Sequence, residues 1–365
     1  MPFLHKIGRV LSHPKLLFYT LPWLMVLVTL GTVTQKDLGL YNATEKYLNS
    51  IILWLGPVPT PGGLLTIGVI FIALCVKFIF YSPWRIKKAG TILTHLGVLL
   101  LLLGGIITAT NAKEGFMIIP EGRNVNAVSD YFKRVLVIQK NGKIVEMFDF
   151  DALSKTQSLK TQGLEIKILE KCNNCGVRAP TGTYQNLQGL AEHMEPFPTA
   201  QEKQKEANFS GLILGVKNPQ NNQSGTYIVM EDVPKNPEFK INQDRLRLVL
   251  QRQSEALPFS ITLDDFRKTD YPGTDKAREY TSDLIIHDGG IAWPATISMN
   301  QPLRYKGYSF YQSSFDQRAD TEVTVLNVVQ NKGRLFPYIA TLIIFIGILL
   351  HLIIHLQLRQ KDNHA

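Results

Sequence analysis

The stretch GTILTHLGVLLLLLGGIITAT, Gly90–Thr110, is apolar almost throughout yet carries one ionisable side chain, His95. Ionisable groups at such depth in a membrane span are costly and tend to mark function. A neutral imidazole ligates iron, and an axial histidine is a standard way to hold haem. Gly97, Gly104 and Gly105 thin the same helix along parts of its surface, which gives a flat apolar macrocycle room. The competing reading is a histidine that hydrogen-bonds a neighbouring helix, with glycines that permit close packing. His351 is the second candidate. At 1.5 Å rise per residue, His95 lies about 8 Å inside the start of its run and His351 about 8 Å inside the end of the last run. The two are therefore expected at one depth, with His355 a turn further out. None of the four apolar runs contains an acidic residue, so a carboxylate proton relay of an ion-coupled transporter lacks parts.

The other chemistry-bearing pair is Cys172 and Cys175, in CNNCG. A c-type haem attachment site needs histidine directly after the second cysteine, and residue 176 is glycine. A thioredoxin-like redox pair opens a helix, whereas this neighbourhood reads as strand and loop. Zinc would need two further clustered ligands. What remains is a local structural disulfide or a pair of idle thiols, with a redox role as the alternative. Cys75 sits in an apolar run and reads as packing. His5, His13, His193 and His364 fall in polar segments and read as solvated, and His287 reads as a turn residue at a strand end.

These residues are positioned by four runs long enough to cross a bilayer, 16–33, 64–81, 90–109 and 335–356. The first is too long for a signal h-region and no small-x-small site follows, so it is expected to be a retained anchor. Basic residues cluster in segments 1–15 and 82–89 and in the tail, 357–365. By the positive-inside rule these segments are cytoplasmic, and the polar region 110–334 is extracytoplasmic. Lys77, near the cytoplasmic end of the second run, can snorkel. The net charge of +9 comes without any Lys/Arg block, which argues against nucleic acid. Within 34–63, Thr44, Tyr47, Leu48, Ile51, Ile52 and Leu55 recur at helical spacing and predict an amphipathic surface helix, ended by the prolines and glycines from Pro57 to Gly63.

Region 110–334 reads as mostly β. KRVLVIQKNGKIVEMFDF places two alternating runs around Asn141-Gly142, a hairpin signal. Further alternating segments, among them LEIKILE, GLILGVK, RLRLVLQ, FSITLDDF and YSFYQSSF, predict a sandwich or open barrel. The segment from Thr181 to Asn208 reads as loop or short helix. The fold class is thus a membrane protein of four transmembrane α-helices with a large, mostly-β, sandwich-like domain.

The chain resembles the ResB family, also called CcsB, of system II cytochrome c biogenesis. The likeness rests on GTVTQKDLGLYNATEKYLNSII after the first span, THLGVLLLLLGGIIT in the third, and SMNQPLRYKGYSFYQSSF before the last, with NQPLRYKGYSFYQSSF (Asn300–Phe315) the most specific. The resemblance implies a multi-pass protein of the bacterial inner membrane that partners with CcsA, also called ResC. Together they move haem outward, keep it reduced and join it to the Cys-x-x-Cys-His thiols of apocytochrome c. It implies haem b as transient substrate or cofactor, and a non-catalytic or shared-site subunit of a holocytochrome c synthase. Thiol-reducing proteins of cytochrome c maturation are further expected partners. The family's membrane histidine falls on His95, as one axial haem ligand opposite a ligand from CcsA; no metal other than haem iron is expected.

Trp23, Trp54, Trp84 and Trp293 are scattered, so the chain holds no tryptophan-rich haem platform of its own. The aromatic strand RYKGYSFYQSSF reads either as a surface for apocytochrome or the partner, or as sandwich core. Two other functions stay open: a haem-free scaffold or chaperone that holds apocytochrome c, and a thiol–disulfide carrier working through Cys172 and Cys175.

Overall fold

A computed structural model describes residues 8–218, 223–274, 276–318 and 321–362. His5 and His364 lie outside the described residues. The chain forms two compact units, Met1–Lys113 with Gln330–Ala365, and Glu114–Val329.

The first unit holds four helices, α1 (Pro14–Tyr47), α2 (Gly63–Phe80), α3 (Ala89–Asn111) and α4 (Phe336–Asp362). All four are long and apolar enough to cross a membrane. Their large apolar side chains face outward, Phe18 at 73%, Phe80 at 74% and Phe345 at 58% exposure. Water would reject such surfaces, whereas lipid accepts them.

Helix α1 outruns the expected span. It continues through a kink at Gly39, whose φ of 79° and ψ of 165° are non-helical, and ends at Tyr47. The helical spacing of Thr44 to Leu55 therefore misleads beyond Tyr47, because Ile52–Leu55 and Val58–Pro61 form a hairpin. The cause is local. Leu55 pairs with Val58 across a two-residue loop that opens on Gly56 at φ 62°, the conformation that a II′ turn reserves for glycine. Leu53 turns inward with Leu27 and Tyr47, and the Trp23 indole donates to the Pro61 carbonyl at 2.8 Å.

Helices α3 and α4 pack antiparallel through small residues seven apart. Gly90, Gly97 and Gly104 line α3; Ala340 and Gly347 line α4, with Gly333 just ahead of it. Gly90 lies against the His351 backbone and Gly347 against Thr94. A Cβ on Gly97 would meet Ile344 Cγ1 at 2.5 Å and the Ala340 carbonyl at 3.0 Å. Gly104 abuts Phe336, and Gly333 abuts Thr108. A seven-residue repeat keeps one face of each helix on its partner under left-handed supercoiling. Thr108 Oγ1 donates to Asn331 Oδ1 at 3.1 Å and closes the end of the seam.

The second unit is built of a ten-stranded and a four-stranded sheet plus the small pair Cys175–Arg178 and Glu195–Pro198. Two strands are unusually long, Asn124–Lys140 and Asp244–Asp270, and they pair with each other. RLRLVLQ and FSITLDDF, which read as separate strands around Pro258, are two parts of this single strand. Its register shifts between Arg252 and Ser254 and again between Ala256 and Ile261, so Pro258 falls in a stretch free of that pairing.

Each half of the long pair covers a separate core. Leu136, Ile138, Leu246, Leu248 and Leu250 face Ile166, Ile168, Leu212 and Leu214 of the four-stranded sheet. Beyond the bulges, Phe259, Ile261 and Leu263 join Ile286, Ile297, Phe310 and Leu326. There the large sheet curls until Trp293, from its first strand, meets Tyr305, from its last, at 5.2 Å between rings. Asn141 and Gly142, at φ 50° and 82°, make the expected two-residue turn.

A buried ion pair ties the two sheets. Arg134 Nε donates to Glu231 Oε2 at 2.8 Å, with the side chains 6% and 4% exposed. The guanidinium also donates to the carbonyls of Asn208 and Phe132, and the Ser210 N–H donates to the same Glu231 oxygen.

The seam yields a paired expectation. Alanine raises helix propensity equally at Gly97 and Gly105, by about 1 kcal/mol. Gly105 has open space around it, whereas Gly97 does not. Thermal unfolding of the detergent-solubilised protein should therefore leave Gly105→Ala unchanged or slightly stabilised. Gly97→Ala should lose about 1–3 kcal/mol from overpacking.

Candidate functional site

Each α3 residue is rotated by about 100° from the last, so His95 stands about 140° from Gly90 and about 160° from Gly97. It therefore lies on the flank away from the seam, half-buried. Its Nδ1 is 2.7 Å from the carbonyl oxygen of Thr91, one turn earlier. A carbonyl only accepts, so the ring hydrogen sits on Nδ1 and the lone pair on Nε2. That tautomer leaves the outer nitrogen as a metal ligand, and a carbonyl holding the other N–H is the usual support of a ligating histidine.

His351 Nδ1 lies 3.3 Å from Thr91 Oγ1. Thr91 thus lies beside both candidate histidines, His95 of α3 through its carbonyl and His351 of α4 through its hydroxyl. The His351 side chain is exposed, and its ring lies 6.3 Å from that of His355 with 15° between planes. Thr91 escaped the sequence reading, although its position four residues before a helical histidine is the available signal.

The glycines do not provide the room expected of them. Gly97 and Gly104 are filled by Ile344, Ala340 and Phe336, so α4 occupies that side. Gly105 alone of the three faces open space. A flat ligand on His95 Nε2 would have to lie on the flank opposite the seam. For iron in a porphyrin the donor chemistry fits: a neutral imidazole of fixed tautomer, half-buried, on an apolar helix.

Cys172 and Cys175 form a disulfide with Cα atoms 5.5 Å apart. Cys172 ends the strand Leu164–Cys172 at 2% exposure, while Cys175 opens the next strand and is partly exposed. Near it, Glu195 is buried and accepts from Arg178 Nη2 at 2.7 Å and from the N–H and Oγ1 of Thr181 at 2.9 and 2.7 Å. These donors, Arg178 first, hold its carboxyl down at about 2.

The remaining candidates are structural. His13 caps α1, its Nδ1 accepting the Lys15 N–H at 3.2 Å, and so does more than sit in solvent. His287 lies 3.0 Å from Thr262 Oγ1, beside the Gly289-Gly290 turn. His193 is exposed. The aromatic segment that reads as one strand is a hairpin, Leu303–Tyr305 and Tyr308–Arg318 around a turn at Lys306-Gly307; Phe310 is fully buried, and Tyr305, Tyr308 and Phe315 pack on the same core. Phe315 stacks on Phe266 at 5.2 Å.

Four apolar helices, with a β unit inserted in sequence between the last two, define an integral membrane protein with a large β domain. The ResB-like family matches residues 85–163 and 222–334, more than half of the chain, and the chain belongs to that family. Protein NrfI of Wolinella succinogenes is 24% identical to it over 348 residues, 92% of this chain and 34% of NrfI. The chain thus spans about a third of the length of that relative. The matched segments include His95 but neither the cysteine pair nor α4.

Glu195 gives a pH expectation. A carboxyl that titrates near 4.5 when unfolded and at about 2 when folded stabilises the β unit fully above the ordinary value. That contribution is lost as pH falls toward 2. Glu195→Gln should lower stability by about 1–3 kcal/mol at pH 7 and flatten its decline between those values. Denaturant unfolding of both proteins across that range measures it; parallel declines would count against the assignment.

Proposed function

We propose that this chain is a subunit of the system II cytochrome c assembly machinery, acting with a CcsA/ResC partner to carry haem across the membrane, keep it reduced and present it to apocytochrome c. Membership of the ResB-like family supports a role in cytochrome c maturation. The observation that carries the haem-handling part is the hydrogen bond from His95 Nδ1 to the Thr91 carbonyl, which frees Nε2 for iron. His351 is the weaker candidate, as an adjoining ligand or as a helper through the Thr91 hydroxyl.

In this reading haem is the substrate, and its iron supplies the redox couple and the ligand-binding positions. His95 contributes one axial bond, and Thr91 fixes the ring so that no tautomer change is needed on binding. The apolar surfaces of the helices keep water away, and a dry bis-imidazole site favours retention of the ferrous state. The second imidazole comes from the partner. The distribution of basic flanks supports an orientation with segments 1–15, 82–89 and 357–365 cytoplasmic and the β unit extracytoplasmic; the membrane of this reading is the bacterial inner membrane.

The test is an absorption spectrum of the complex purified with its partner. His95→Ala should reduce bound haem about tenfold or more, the scale on which ligand-shell losses act. Added imidazole should restore part of it. Unchanged haem content in the variant would leave His95 as a helix contact and the chain as a haem-free scaffold.

A further inference from the structure

We propose that the Cys172–Cys175 disulfide is a thiol–disulfide exchange site for a protein dithiol of the Cys-x-x-Cys kind, with Cys175 as the attacked sulfur. The inference is independent of the role of His95. It starts from how little the fold asks of this bond. The turn between the cysteines is already pinned by hydrogen bonds. Asn174 Nδ2 donates to the Ala200 carbonyl at 2.6 Å, and its Oδ1 accepts the Phe209 N–H at 3.1 Å. Ser210 Oγ donates to the Asn173 carbonyl at 3.0 Å, and the Cys175 N–H to the Phe209 carbonyl at 2.7 Å. Strand pairing holds both flanks, Cys172 opposite Gly211 and Cys175 opposite Pro198. A disulfide spanning two intervening residues closes a small loop, so it restricts the unfolded chain less than one across a long loop would. The shape of a turn already fixed by these bonds does not depend on it.

The reduced pair also has a place in this fold. Cys175 Sγ lies 3.3 Å from the Cys172 carbonyl, and Cys172 Sγ lies 3.8 Å from the Gly211 carbonyl. A carbonyl oxygen therefore lies beside each sulfur to accept the thiol hydrogen once the bond is cut. Gly211 makes the space for both sulfurs, since a Cβ there would approach Cys175 Sγ at 3.0 Å. The two cysteines differ in access, Cys172 being buried and Cys175 partly exposed. That asymmetry selects which sulfur an incoming thiolate reaches.

The exchange balances without a further reactant. A partner thiolate attacks Cys175 Sγ, the Cys172–Cys175 bond breaks, and Cys172 leaves as thiolate and takes a proton. The partner's second thiolate then attacks its own sulfur in the mixed disulfide and releases Cys175. The partner dithiol loses two electrons, and the pair gains them; an oxidised partner runs the sequence backwards.

The full-length protein in detergent provides the test, with modified cysteines mapped by peptide mass so that Cys75 does not interfere. A reduced Cys-x-x-Cys peptide should convert the native disulfide to two alkylatable thiols well below the unfolding temperature, which should stay within a few degrees of its oxidised value. Resistance until the protein unfolds would overturn the proposal. With glutathione disulfide as probe, Cys172→Ser should accumulate a Cys175 adduct about tenfold faster than Cys175→Ser accumulates one on Cys172. Equal rates, or a faster Cys172, would also overturn it. The wild-type arm decides the matter should either variant fail to fold.

Discussion

The close approach of α3 and α4 is the constraint on which the membrane unit rests. Within lipid, helices gain nothing from hiding apolar surface, so they associate where backbones can touch. Gly90, Gly97 and Gly104 allow that on α3, and Gly333, Ala340 and Gly347 answer them in reverse order, so the small residues of each helix receive the backbone or a side chain of the other, Ile344 at Gly97 and Phe336 at Gly104 among them. One consequence is rotational. With the glycine edge committed to α4, His95 is turned to the opposite flank, and Thr91, between the two, reaches a histidine on either side.

The β unit solves another problem, that of holding two cores with one set of strands. The long pair Asn124–Lys140 and Asp244–Asp270 contributes leucines and isoleucines to one core and, past its bulges, phenylalanine and isoleucine to the other. The sheets of the first core would gain little from an ion pair in place of apolar groups. Arg134 and Glu231 instead join several strands at once, the carboxylate accepting from Arg134 and the Ser210 N–H while the guanidinium also reaches the Asn208 carbonyl. Removing Glu231 would strand the buried Arg134, whereas Glu231 without Arg134 would keep the partly exposed Arg252, whose Nε lies 3.6 Å from Oε1.

Much of this was legible in the residues, because the determining signals are local. Asn141-Gly142 forces a tight turn, and runs of apolar residues about 20 long admit few readings. What was hidden depends on distant partners or on competing local rules. The spacing from Thr44 to Leu55 is genuinely helical, yet Gly56 and the prolines around it impose the hairpin that overrides it. RLRLVLQ and FSITLDDF read as two strands until the pairing joins them, with Pro258 in a gap where it needs no N–H. The glycines around His95 suited a macrocycle or a helix equally well; only α4, about 240 residues on in sequence, decides between them. The cysteines could be read as a pair, but their unequal burial comes from strands that arrive later in the chain.

The seam also sets a schedule for biogenesis. Asn111 and Phe336 bracket 224 residues, so α4 emerges long after α3 has been inserted. At ordinary synthesis rates that interval is roughly 10–45 s. For that time the glycine edge of α3 faces lipid or the insertion machinery with no mate of its own. A nascent chain in this condition is vulnerable to capture by any other span with a small-residue face, and to quality-control proteases that recognise unpaired helices. The helix made after the β unit is therefore the one that completes the first unit.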